Sequence, residues 1–144
     1  MTLQALSSPV PIAFTHGAAY TAAPVIQVEI AAADPVTGSL MGWSIPVPML
    51  VDSGADVTAM DNSYAGLIGI NLAHCPTSTA QGFAGPPLQV RHATVLMRLC
   101  GRWLDVPVLF SQGMQTQLLG RRVVFDNLLL AFAQGRNAFY AARM

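Results

Sequence analysis

Ile45-Pro46-Val47-Pro48-Met49-Leu50-Val51-Asp52-Ser53-Gly54-Ala55-Asp56 is the stretch whose reading decides the fold. An apolar run gives way at once to an acid, a hydroxyl and a glycine. Such a run, bounded by turn residues, reads as a buried strand. Asp52 therefore stands at the mouth of that strand, a position where carboxylates acquire functional chemistry. Gly54 lets the backbone turn tightly and approach a neighbour. The Ser53 hydroxyl donates or accepts a hydrogen bond that holds the turn. Taken alone, the triplet reads first as an Asx-type turn between two strands and second as a catalytic site.

Working outward, Val25 to Ile30 alternates and predicts a strand. Asp34-Pro35-Val36-Thr37-Gly38 is a turn with Asp, Pro and Gly where a turn wants them. Gly42 to Val51 then closes a hairpin that delivers Asp52 to its end. Val57 to Met60 is a short strand, and Asn62 to Ile68 a short helix or helical turn at best, given its glycine. Ser78 to Gly85 leads into a Gly-rich hairpin tip. Leu88 to Leu99 returns from it, Gly101 turns the chain, and Trp103 to Phe110 is the next strand. Gln112-Gly113-Met114 is a loop. Leu118-Leu119 is a buried strand ending at Gly120. Arg121 to Asn127 is the best helix, with a strand or tail from Leu128 to Phe132. Internal repeats and low-complexity blocks are absent from the sequence. The expected fold is all-β: one small closed barrel with one short C-terminal helix, one lobe per chain. We divide the chain into an arm or linker (1–24), a folded domain (25–132) and a tail (133–144).

Composition narrows the function. The 144 residues suit one domain. Seven arginines oppose seven acids without a lysine, so the net charge is zero. Such a chain lacks the basic footprint of a nucleic-acid binder. With 53% hydrophobic and 10% charged residues, it suits a protein whose apolar surface is partly covered by a partner. No apolar run approaches the ~20 residues of a membrane-spanning helix. Residues 1–23 lack the basic start of a secretory signal. The domain is expected to be soluble, either cytoplasmic or part of a larger membrane-anchored or secreted protein. Cys75 and Cys100 lack the spacing of a zinc site or a disulfide framework and read as free thiols. The sequence calls for neither metal nor cofactor.

The acids are Glu29, Asp34, Asp52, Asp56, Asp61, Asp105 and Asp126. Asp34 belongs to a solvated turn. Asp105 sits in an apolar strand whose alternation points it outward, and Asp126 lies on the late helix. Asp52 alone combines a strand end with a hydroxyl and a glycine. Asp56, four residues on, reads by itself as a surface acid. His16, His74 and His92 have no partner spacing for a nucleophile or a metal. No serine sits in a G-x-S-x-G elbow.

Three segments together resemble the retropepsins, the single-lobe aspartic proteases of retroviruses and their bacterial relatives. They are Leu50 to Asp56; Gln81-Gly82-Phe83-Ala84-Gly85-Pro86-Pro87-Leu88-Gln89-Val90-Arg91, which is similar to a glycine-rich flap and its returning strand; and Leu118-Leu119-Gly120-Arg121. Their order and spacing match that family over about residues 25–132. The resemblance implies that Asp52 is the catalytic aspartate, one per subunit of a homodimer. It implies that Ser53 links the two active-site turns through its hydroxyl, and that Gly54 and Ala55 line the cleft. Asp56 and Arg121 would pair beneath the site, and Gly82, Phe83, Ala84 and Gly85 would form the flap. Leu118, Leu119 and Gly120 would be the buried turn before the helix. The sequence departs from the pattern at Pro86-Pro87, which stiffen the flap arm and remove donors. It departs again at Arg122, where retroviral relatives commonly carry Asn.

The implied activity is peptide-bond hydrolysis, at acidic pH, of an extended polypeptide laid between flaps and floor. Two other readings stand beside it. One is a non-catalytic relative that dimerises or holds a peptide strand. The other is an unrelated small barrel that takes an apolar ligand.

Overall fold

The computed structural model describes residues 16–19, 24–80, 86–133 and 138–143. Its alternating apolar segments become strands β2 (Val25–Ala31), β3 (Ile45–Val51), β6 (Leu88–Leu99) and β7 (Arg102–Ser111), with shorter β4 (Thr58–Asp61), β5 (Thr77–Ala80) and β8 (Gln117–Leu119). Hydrogen bonding runs in the order β2-β3-β8-β4-β7-β6-β5, and β2 also pairs with β6. That last pairing closes a six-stranded barrel and leaves β5 attached to β6 outside the ring. The fold is therefore the single closed β-lobe that the sequence predicts. The hairpin partners are antiparallel, whereas β3–β8 and β4–β7 are parallel.

Period-two patterning decides which side chains enter the barrel. In β7, Leu104, Val106, Val108 and Phe110 are buried, while Asp105 between them is exposed, as the alternation requires. Ile30, Val47, Met49, Met60, Val95 and Met97 meet them in the core, fully buried. Burying each such side chain contributes about 1.5–3 kcal/mol relative to exposure.

Two element boundaries differ from expectation. The strand expected from Gly42 begins only at Ile45, because Gly42 takes φ +107°, outside the strand region. The helix expected over Arg121–Asn127 shrinks to α2 (Val124–Asn127), which follows α1 (Asn62–Leu67) as the second of the two described α-helices. Val123 has φ +69°, a conformation that no β-branched residue holds inside a helix. The two arginines before it bond instead to the loop that carries Asp52. Cys100 and Gly101, both with positive φ, make the tight β6–β7 turn.

A second sheet lies beyond the barrel strands. It has the order β1-β10-β9, from β1 (His16–Ala19), β9 (Leu128–Ala133) and β10 (Ala138–Arg143). Its edge strand β1 and its central strand β10 come from segments that the sequence reading placed in the arm and the tail.

Asp61 shows how loop and barrel are joined. Its Oδ2 accepts from the Ser63 hydroxyl (2.5 Å) and the Ser63 N–H (3.0 Å), which caps α1. Its Oδ1 accepts from Met114 N (2.9 Å). The Ser63 hydroxyl, then the backbone donors, hold this carboxyl below its ordinary pKa. A lowered folded-state value means stability that is fully present above the unfolded pKa of about 3.9 and lost as pH falls through the folded one. Asp61→Asn is thus expected to lower Tm near neutral pH, with the gap closing in acid. Melting curves across that range check this, and a gap independent of pH would refute it.

Candidate active site

The parallel register of β3 and β8 sets Val51 beside Leu119. Both strands therefore leave the barrel at the same end, and Asp52 and Gly120 emerge side by side. Asp52 N–H donates to Leu119 O (3.0 Å), extending the ladder by one bond. The chain then turns. Ala55 N–H donates to Asp52 O (3.2 Å), and Gly54 N–H to Asp52 Oδ1 (2.9 Å). The Asx-type turn and the strand-end carboxylate are thus one structure. A Cβ on Gly54 would sit 3.2 Å from that same oxygen.

The loop is laced to the segment after β8 by two more backbone bonds. Arg121 N–H donates to Ala55 O and Arg122 N–H to Asp56 O, each at 2.9 Å. Just before them Gly120 passes so close to the loop that a Cβ there would lie 2.4 Å from Val57 C and 2.6 Å from Val57 O. Gly120 N–H donates to the Thr58 hydroxyl at 3.0 Å, and Thr58 is wholly buried. Glycine is required here for proximity. Residues 52–58 and 119–122 form one rigid platform with Asp52 at its rim. Asp52 is half-buried, whereas Ser53 and Gly54 are exposed.

Asp56 and Arg121 meet at 3.6 Å, and Arg122 approaches the same carboxylate more closely, at 2.9 Å. Their side chains are 53–65% exposed within one chain. In water such pairs are worth at most about 1 kcal/mol, so here they orient the loop more than they stabilise it. Ser53 makes no side-chain hydrogen bond among the described residues and is exposed on the turn. Leu119 is buried, and Leu118 pairs with Ala59 of β4. Gly82, Phe83, Ala84 and Gly85, the expected flap, lie outside the described residues. Pro86 and Pro87 are exposed and immediately precede β6.

Sequence reading did not find the Thr58 clamp or the sharing of Asp56 by two arginines. Thr58 carried no signal, being one hydroxyl in a short apolar strand. Arg122 was visible only as a departure from a pattern. Among the described residues no group of histidine, cysteine and acidic side chains is arranged to hold a metal. No described helix is long and apolar enough to cross a membrane.

Comparison with known proteins bears on this platform. A family model described as "Aspartyl protease" matches residues 36–123, more than half of the chain and the whole of the platform. Among solved structures, the EIAV protease complexed with the inhibitor HBY-793 is similar at 18% identity and a TM-score of 0.49. The match covers 72% of this chain and 86% of that one. No curated protein matches.

Proposed function

We propose, because the chain belongs to the aspartyl protease family, that two copies of it form an endopeptidase whose paired Asp52 carboxylates activate one water. The observation that carries this reading is the Asp52 turn. One carboxylate is held at a strand end by its own loop and by the Gly120 segment, and the chain has a single such turn. Half of a dyad cannot take a proton from water and give one to the substrate in the same step.

In the dimer the two Asp52 groups face each other across the two-fold axis. Like charges at close range cannot both ionise cheaply, so the pair holds one proton over a range of acidic pH. The ionised member accepts a proton from the bound water as its oxygen attacks the peptide carbonyl carbon. The protonated member donates to the carbonyl oxygen. Collapse of the tetrahedral gem-diol breaks the C–N bond: the departing nitrogen takes the proton that the first carboxylate received from water, and the second carboxylate recovers its proton from a gem-diol hydroxyl. This route uses no metal and no covalent enzyme intermediate. In this reading Ser53, exposed on the turn, links the two active-site turns through its hydroxyl. The substrate lies extended and bonds through its main chain like an added strand. Apolar cleft walls favour apolar side chains flanking the cut.

Two measurements test this together. Cleavage of a peptide mixture is expected to peak at acidic pH. Specific activity is expected to rise with protein concentration in step with the dimer fraction seen by sedimentation. A rate maximum well above neutral pH, or full activity from a monomer, would reject the shared dyad.

A further inference from the structure

Beside the platform, on the outer face of β6 and β7, lies a hollow of about 320 Å³. Val57, Pro107 and Leu109 give it apolar walls, and Thr94, His92 and Arg122 give it polar ones. No carboxylate lines it. Arg122 is the charged group at its edge, with its side chain 56% exposed. Its Nη2 donates to Asp56 Oδ2. That carboxylate also faces Arg121, so two guanidiniums answer one acid. Asp126 lines a neighbouring hollow with Asp56, Arg121, Phe125 and Arg122 itself, and its Oδ2 already accepts from Val123 N–H. Arg122 thus borders two hollows: its acids, Asp56 and Asp126, line the second, and none lines the first, with Val57 and Leu109. The His92 ring nitrogen Nε2 is hydrogen-bonded to the Ser78 hydroxyl at 2.5 Å, which steadies that wall.

Position ties this hollow to the cleft. Val57 is five residues from Asp52, hence at most about 18 Å away even with the chain fully extended. An extended peptide crossing Asp52 and running along the loop spans that distance in about five of its own residues.

We propose that Arg122 and this hollow form a specificity subsite for an acidic substrate side chain, glutamate above all, within about five residues of the cut. The inference rests on the protease reading and deepens it. The glutamate methylenes lie on Val57, Pro107 and Leu109, and the carboxylate meets the guanidinium. An arginine fork suits a carboxylate and leaves a neutral amide poorly served.

The test compares matched peptides that differ only by Glu, Gln, Lys or Arg at each position around an established cut. They are assayed with the wild type, Arg122→Gln and Arg122→Glu, and with Asp52→Asn as the inactive control. The wild type is expected to favour Glu at one position by about fivefold in kcat/KM, the scale of an exposed charge pair. That preference should grow between about pH 4 and 6, as the substrate carboxylate ionises, and shrink at high salt. Arg122→Gln should abolish it, and Arg122→Glu should invert it in favour of Lys or Arg. Asp52-dependent cutting with no acidic preference, or with one unchanged in Arg122→Gln, overturns the subsite and leaves the protease reading standing. No Asp52-dependent cutting by protein shown to be dimeric overturns both.

Discussion

Asp52→Asn is expected to reduce peptide hydrolysis by about 10³-fold or more while leaving the fold intact. Asparagine is isosteric, and its side-chain oxygen can still accept the Gly54 N–H bond that holds the turn. What it cannot do is take a proton from water, and general acid–base transfer of this kind contributes roughly 10²–10⁴ in rate. Mixing gives the sharper result. If one active site draws a carboxylate from each of two chains, a wild-type chain paired with a mutant chain is inactive. With exchange complete and a ninefold excess of Asp52→Asn, activity per wild-type chain should fall to about one tenth. Undiminished activity in the mixture would mean that each chain carries a complete site, and the shared dyad would be wrong.

The second large effect falls on stability. Gly120→Ala places a methyl group 2.4 Å from one backbone atom of Val57, 2.6 Å from another and 2.8 Å from Thr58 N. None of these is the end of a flexible side chain, so the strain cannot relax by a rotamer change. Overpacking usually costs about 1–3 kcal/mol, and a clash between two backbones belongs at the upper end or beyond. We expect a loss of about 3 kcal/mol in chemical denaturation, a large part of a small domain's stability. The protein that still folds should lose activity too. The clash would push residues 119–122 away from the loop and stretch the Arg121–Ala55 and Arg122–Asp56 backbone bonds. A denaturation midpoint equal to wild type would show that the two segments are not locked together as described.

Much of the barrel is legible along the chain because it depends on period-two alternation and on turn residues. Val25–Ala31, Leu88–Leu99 and Arg102–Ser111 follow directly from that pattern. Boundaries set by backbone conformation are less visible. Nothing in the letters of Val123 announces φ +69°, so a seven-residue helical expectation shrank to four residues. The pairing of β1 with β10 is likewise a long-range event between the two ends of the chain. Neither segment has strong enough alternation to reveal it.

The candidate site divides in the same way. The sequence by itself singled out Asp52 as the candidate carboxylate, because it alone follows an apolar strand and precedes a hydroxyl and a glycine. It also marked Gly120 as the end of a buried strand, and it holds one such turn, from which the proposal of a second copy follows. Tertiary structure alone decided what holds the turn. The parallel pairing of β3 with β8 brings residues 67 positions apart into hydrogen-bonding distance. It turns Gly120 from a flexible residue into an obligatory one, and it gives Asp56 two arginines where the sequence suggested one. The physical reason is range. Alternation, turns and strand ends are set by neighbours in the chain and can be read locally. Close backbone approach and charge sharing depend on distances across the barrel, which exist only once it has closed.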